Sequence, residues 1–196
     1  MRKRGYSRDM LRSTLKGQLL VATPMLGDYF ERAVILLLEH TEDGAVGVVL
    51  NRPSAAHFVD PLPDWYGFAA YPPVVFVGGP VGAGSAIGLA RARHPQTDHD
   101  TEGWNQVVGT VGTVDLTLDP DDVPVGIEEV RVFSGYAGWG GGQLEDEIES
   151  GAWFVVDAEQ DDALSTNPDG LWRSVLRRQS GSLSIYANFP SDPSLN

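Results

Sequence analysis

The chain has 196 residues, 42% hydrophobic and 21% charged, which suits a globular domain with a substantial core rather than a disordered segment. It has no cysteine, which excludes disulfides, thiolate chemistry and cysteine-ligated zinc or iron–sulfur sites. The net charge of −13 is uneven: residues 1–16 hold Arg2, Lys3, Arg4, Arg8, Arg12 and Lys16 against Asp9 alone, so the rest of the chain is strongly acidic and repels a polyanion at long range.

Residues 1–15 read as a basic, flexible arm ahead of a single domain over 16–196. No apolar h-region follows the basic start, and no apolar run approaches the ~20 residues that span a bilayer, so a cytoplasmic protein without membrane contact is expected. Residues 19–22 are a short apolar strand. Asp28 to Glu31 form a turn of helix, and 33–38 form a strand buried on both faces. Asp43-Gly44 between apolar runs predicts a hairpin with 45–50. Pro53 is expected to end that pairing. Residues 54–73 hold Pro61, Pro63, Pro72 and Pro73 beside several aromatics, and read as loop plus a short helix.

Strands are expected at 74–77 and 87–90, with a tight glycine turn between them and a polar excursion over 91–103. Residues 107–118 read as one strand with a glycine irregularity. Asp119-Pro120 is a cap and first-turn pair for a short helix. Residues 130–133 are a strand, followed by FSGYAGWGGGQLEDEIES at 133–150, where Gly135 and Gly138 are expected to turn the chain into a helix carrying Leu144 and Ile148 on its buried stripe. Residues 153–156 are a strand. The last helix has Asn167 as cap, Pro168 in the first turn, an apolar stripe of Leu171, Trp172, Val175 and Leu176, and Arg177 and Arg178 near its C-terminus. The tail from Leu183 is expected to add a short strand and an irregular end. Strands outnumber helices without β-α-β alternation, which argues an α+β fold.

No chemical motif is complete. The glycines before the 143–150 helix lack the lysine of a phosphate loop, and Glu145, Asp146 and Glu147 follow instead, meeting the positive helix end and repelling an anion. The run from Val77 to Ser85 departs from the dinucleotide fingerprint, although Gly78-Gly79 can form a small anion nest. His94, Asp98, His99 and Asp100 share one loop, which reads as a solvated segment rather than a metal site. Asp28, Glu31, Glu145 and Glu147 are the candidate acids, and no serine sits in a nucleophile elbow.

Four ordered stretches resemble the AlgH/YqgE-like family of bacterial proteins: Thr23-Pro24-Met25 with Asp28, Phe30, Ala33 and Val34; 47–53 (GVVLNRP); 77–81 (VGGPV); and Gly135-Tyr136-Ala137-Gly138-Trp139 with Gln143, Leu144, Glu145, Glu147 and Ile148. The resemblance runs from about Lys16 to Arg178. It implies a small closed β-barrel beside a branched mixed sheet flanked by helices, and a cytosolic location. Family members carry a transcriptional-regulator label that comes from alginate gene control in one lineage. No helix-turn-helix is legible here and the body is acidic, so direct nucleic-acid binding is not expected.

The leading expectation is a non-enzymatic regulatory or adaptor module that binds a protein or small-molecule partner, with no cofactor and no metal. Asn51, Arg52, Gly78, Gly79, Tyr136, Trp139, Gln143 and Glu145 are its candidate binding residues, expected to line one surface. The alternatives are an enzyme using Asp28 or Glu145 in a pocket, and a regulator that touches DNA through its arm.

Overall fold

The computed structural model describes residues 14–58, 62–94 and 100–189. Most of the basic arm, the heart of the histidine loop (95–99) and the end of the tail (190–196) lie outside the described residues, as does the side chain of Asp28.

The sheet has 11 strands: β1 Gln18–Ala22, β2 Val34–Thr41, β3 Gly44–Val49, β4 Pro53–His57, β5 Val74–Val77, β6 Val81–Ala92, β7 Asp100–Thr101, β8 Trp104–Val108, β9 Val111–Val114, β10 Ile127–Gly140 and β11 Trp153–Asp157. Three short helices complete it: α1 Gln143–Glu149, α2 Leu171–Arg177 and α3 Leu183–Tyr186. The strand path is β11-β1-β2-β3-β10-β6-β9-β8-β7, antiparallel throughout. β10 is the spine. One edge carries β6, and the other carries β3 and then β5, the latter parallel, so the sheet branches there and β4 hangs on β5.

The α+β class holds, but the closed barrel does not appear as a ladder. The sheet curls until Lys16 Nζ, just before β1, donates to Asn105 Oδ1 on β8 at 2.7 Å. Among the described residues no strand pairing joins the two ends of the path, and the result is a curled half-barrel.

The alternation of β1 and β2 explains their wholly apolar character. Leu19, Val21, Val34 and Leu36 face one layer, where α2 inserts Leu171, Trp172, Val175 and Leu176. Leu20, Ala22, Ile35 and Leu37 face the other, where α1 inserts Leu144 and Ile148. Each such side chain contributes about 1.5–3 kcal/mol on burial, so two seven-residue helices suffice to cover both faces. A third cluster, around Trp65, Trp104, Val130 and Val132, fills the far end under the 3₁₀ turn Pro63–Phe68.

Several elements depart from the sequence reading, each for a physical reason. The β2–β3 pairing ends at Val49, ahead of Pro53 as expected, but Pro53 also opens a new strand, β4, because its missing N–H is harmless at the first residue of a strand. Residues 107–118 are not one strand: β8 and β9 form a hairpin turning at Gly109-Thr110. The tail forms helix α3, not a strand. The glycine group at 78–80 is a crossing rather than a simple turn. The chain passes from one edge of β10 to the other, and a Cβ on Gly79 would lie 2.1 Å from the Tyr136 carbonyl carbon. β10 accommodates the crossing with a bulge between Ser134 and Tyr136, where Gly135 takes φ +72. Gly135 and Gly138 therefore lie within a strand that continues to Gly140. The corner falls at Gly141 and Gly142, and the helix starts at Gln143.

Candidate functional site

The corner between β10 and α1 is locked by the motif's own side chains. Gln143 Oε1 accepts from the Gly140 N–H at 3.1 Å, and its amide donates to Glu147 Oε1 at 3.0 Å, one helical turn on. Glu147 Oε2 accepts from two indoles, Trp139 Nε1 and Trp153 Nε1, each at 2.9 Å. Both indoles are buried and meet edge to face at 6.2 Å, with Phe30 against Trp153 at 5.5 Å. One carboxylate thus ties together β10, α1 and β11.

Glu145, on the same helix, takes a hydrogen bond from His40 Nε2 at 2.8 Å. The other ring nitrogen, Nδ1, accepts from the Leu15 N–H at 3.1 Å, and that network places the proton on Nε2, facing the carboxylate. Leu15, read from the sequence as part of the arm, is buried in this layer. His40 therefore joins the segment before β1, the β2–β3 hairpin and α1.

Asn51 and Arg52 build a second network. Asn51 Oδ1 accepts from the Val34 N–H at 3.0 Å, and its amide donates to the Arg32 carbonyl at 2.9 Å. This holds Arg32 at φ +53, a backbone state uncommon outside glycine. The Arg52 guanidinium donates to the carbonyls of Tyr29 and Glu31 and covers the Tyr29 ring at 5.1 Å. Arg32 covers the Trp172 ring at 4.7 Å, and Arg32 and Arg173 both donate to the Phe189 carbonyl, at 3.1 and 3.3 Å. Partial burial, then the nearby charge of Arg173, lowers the pKa of Arg32.

Gly78, Gly79 and Tyr136 form a third group, at the crossing. The Gly78 N–H donates to the Ser134 carbonyl at 2.9 Å and the Gly78 carbonyl accepts from Val49 at 2.8 Å, so the Gly78 half of the expected anion nest is spent on the sheet. The first two groups are contiguous through Tyr29, Phe30, Trp153 and Trp139, whose rings touch in series. The third packs along β10 from them.

Glu147 and His40 carry more of the geometry than the sequence reading assigned. The signal for Glu147 is its i+4 spacing from Gln143. For His40 there is none, because both its partners are distant in sequence.

Grooves on the surface include two among the described residues. One, about 320 Å³, lies at the mouth of the curled sheet and is lined by Leu38, Glu39, Val46, Ile87, Asn105 and Thr113 among others. The second, about 520 Å³, runs along α2 past Asn167, Gly170, Arg173, Ser174, Arg177 and Arg178. Neither is lined by Glu145. Among the described residues no helix is long and apolar enough to cross a membrane.

Comparison with known proteins agrees with this architecture. The UPF0301 protein SCO2948 of Streptomyces coelicolor is 51% identical over 186 residues, covering 94% of this chain and 96% of that one. A UPF0301 protein of Thermobifida fusca is 43% identical over 197 residues, covering 95% and 98%. The crystal structure of DIP2367 from Corynebacterium diphtheriae superposes with a TM-score of 0.83 at 31% identity, over 89% of this chain and 92% of that one. The solution structure of the AlgH protein from Pseudomonas aeruginosa superposes with a TM-score of 0.64 at 25% identity, over 98% of this chain and 100% of that one. The family model described as AlgH-like matches residues 19–184, and the chain belongs to that family.

Proposed function

We propose that this chain is a cytosolic, non-enzymatic binding module of regulatory or adaptor type, in which the family motif builds the scaffold and the ligand is met elsewhere on the surface. One observation carries the reading: the motif's polar side chains are committed inside the chain. Asn51 spends both ends of its amide on the backbone, Gln143 spends both on Gly140 and Glu147, Glu147 holds two indoles, and Glu145 holds His40. A general acid or base must be within reach of a bound substrate, and neither groove presents one of these carboxylates.

The test is a substrate-panel screen for hydrolase and transferase turnover with Glu145→Gln as control. The expected result is no turnover that depends on Glu145. Turnover abolished in Glu145→Gln at an unchanged melting temperature would make the protein an enzyme and overturn the reading.

A further inference from the structure

Beyond Lys16 the chain holds only eight basic residues, all arginines, in a segment of net charge −18. They are not spread evenly. Arg52 reaches the carbonyls of Tyr29 and Glu31, Arg32 lies in the same loop against Trp172, and Arg32 and Arg173 converge on the Phe189 carbonyl. Arg173 and Arg177, one turn apart on α2, line the larger groove. Two aromatic side chains stand exposed among them, Tyr29 at 40% and Phe189 at 46%. Arginine beside partly exposed aromatic surface is the composition of binding hot spots.

We infer that this arginine–aromatic surface docks an acidic polypeptide segment of a partner, whose carboxylates pair with Arg173 and Arg177 while an apolar side chain rests against Phe189. The inference rests on the non-enzymatic reading above and names the class of partner.

Shape and charge select that class. The groove follows the 3₁₀ turn Pro168–Gly170 and then α2, from Asn167 to Arg177, about 15 Å at a rise of 1.5–2 Å per residue. That length takes about five residues of extended chain at ~3.3 Å each, and is long for a single phosphate. Guanidinium groups pair bidentately with carboxylates, and a short acidic segment keeps its charge over the arginines, whereas a long nucleic acid would carry its repeating phosphates past them onto the acidic remainder of the chain.

Fluorescence anisotropy with a labelled peptide of repeating Glu-Leu-Asp-Phe units, at low and at physiological salt, tests the proposal. The expected result is saturable binding that weakens as salt rises and falls about tenfold or more in Arg177→Glu and in Arg173→Ser. Arg93→Ser, whose guanidinium bonds the Ile127 carbonyl away from this surface, should bind as the wild type does. Melting curves confirm that the variants are folded. Absence of binding, equal binding by Arg177→Glu, or tighter binding of a single-stranded oligonucleotide of matched length would each overturn it. None of these outcomes bears on Glu145-dependent turnover, so the two readings fail separately.

Discussion

Arg131 sits in the middle of β10 with 1% of its surface exposed. Its guanidinium covers the Phe76 ring at 4.3 Å and donates to the carbonyls of Tyr71, at 2.7 Å, and Ala163, at 3.4 Å, while Nε has no partner among the described residues. Burial lowers its pKa to about 10, below the ordinary arginine range. Because the folded value is the lower one, keeping the charge buried costs stability at every pH below about 10, and the cost fades only as the pH climbs from there toward the ordinary arginine value. The charge is therefore a burden, and the aliphatic stem and ring contact are the gain. Arg131→Met should stay within about 1 kcal/mol of the wild type in urea unfolding, because relief of the buried charge offsets two lost hydrogen bonds. Arg131→Ala should cost about 3 kcal/mol through the cavity it leaves. Equal losses in both variants would show that the charge itself is required.

At the scale of elements, the loop between β11 and α2 is held by a side chain the sequence assigned a different task. The sequence placed Arg177 and Arg178 near the end of α2 as favourable charges at a helix C-terminus. Arg178 instead grips both oxygens of buried Asp162, at 2.6 and 2.5 Å, and approaches Glu159 at 3.4 Å. The Asp162 pairing, more than burial, decides the direction of its pKa, which is raised. Arg178→Ala leaves a buried carboxylate without its cation and should cost about 3 kcal/mol. Hydrogen exchange should then speed up at the amides of 158–165 before the rest of the sheet, and uniform protection would contradict the assignment.

Elements with a local code were legible. The β2–β3 hairpin follows from Asp43-Gly44, the 3₁₀ turn Pro168–Gly170 from Asn167, whose side chain accepts from Gly170, and α1 and α2 from their apolar stripes. Elements defined by non-local pairing were not. β4 is mostly exposed and opens on a proline, and its partner β5 lies some twenty residues on. The first half of β6 is glycine-rich and exposed, so its sequence reads as a turn, although β10 supplies the pairing.

Across the whole molecule, the family motifs lie where the chain must join parts distant in sequence. Gly79 and Gly135 let one strand cross another, Asn51 fixes the entry to β2, and Glu147 binds β10, α1 and β11 together. The motif residues were legible in the sequence, but their contacts were not, because the indoles and amides point into junctions between segments distant in sequence. The arginine surface could not be read from the sequence at all, since Arg32 and Arg173 are brought together only by the tertiary fold. The central claim, that the motif is scaffold, is tested most directly by equilibrium urea unfolding of Glu147→Ala followed by tryptophan fluorescence. Two buried indole N–H groups would lose their acceptor, at about 1–3 kcal/mol each when unsatisfied. The account predicts a stability loss of about 2–4 kcal/mol with an unchanged slope, and a variant that unfolds at the wild-type urea concentration would contradict it.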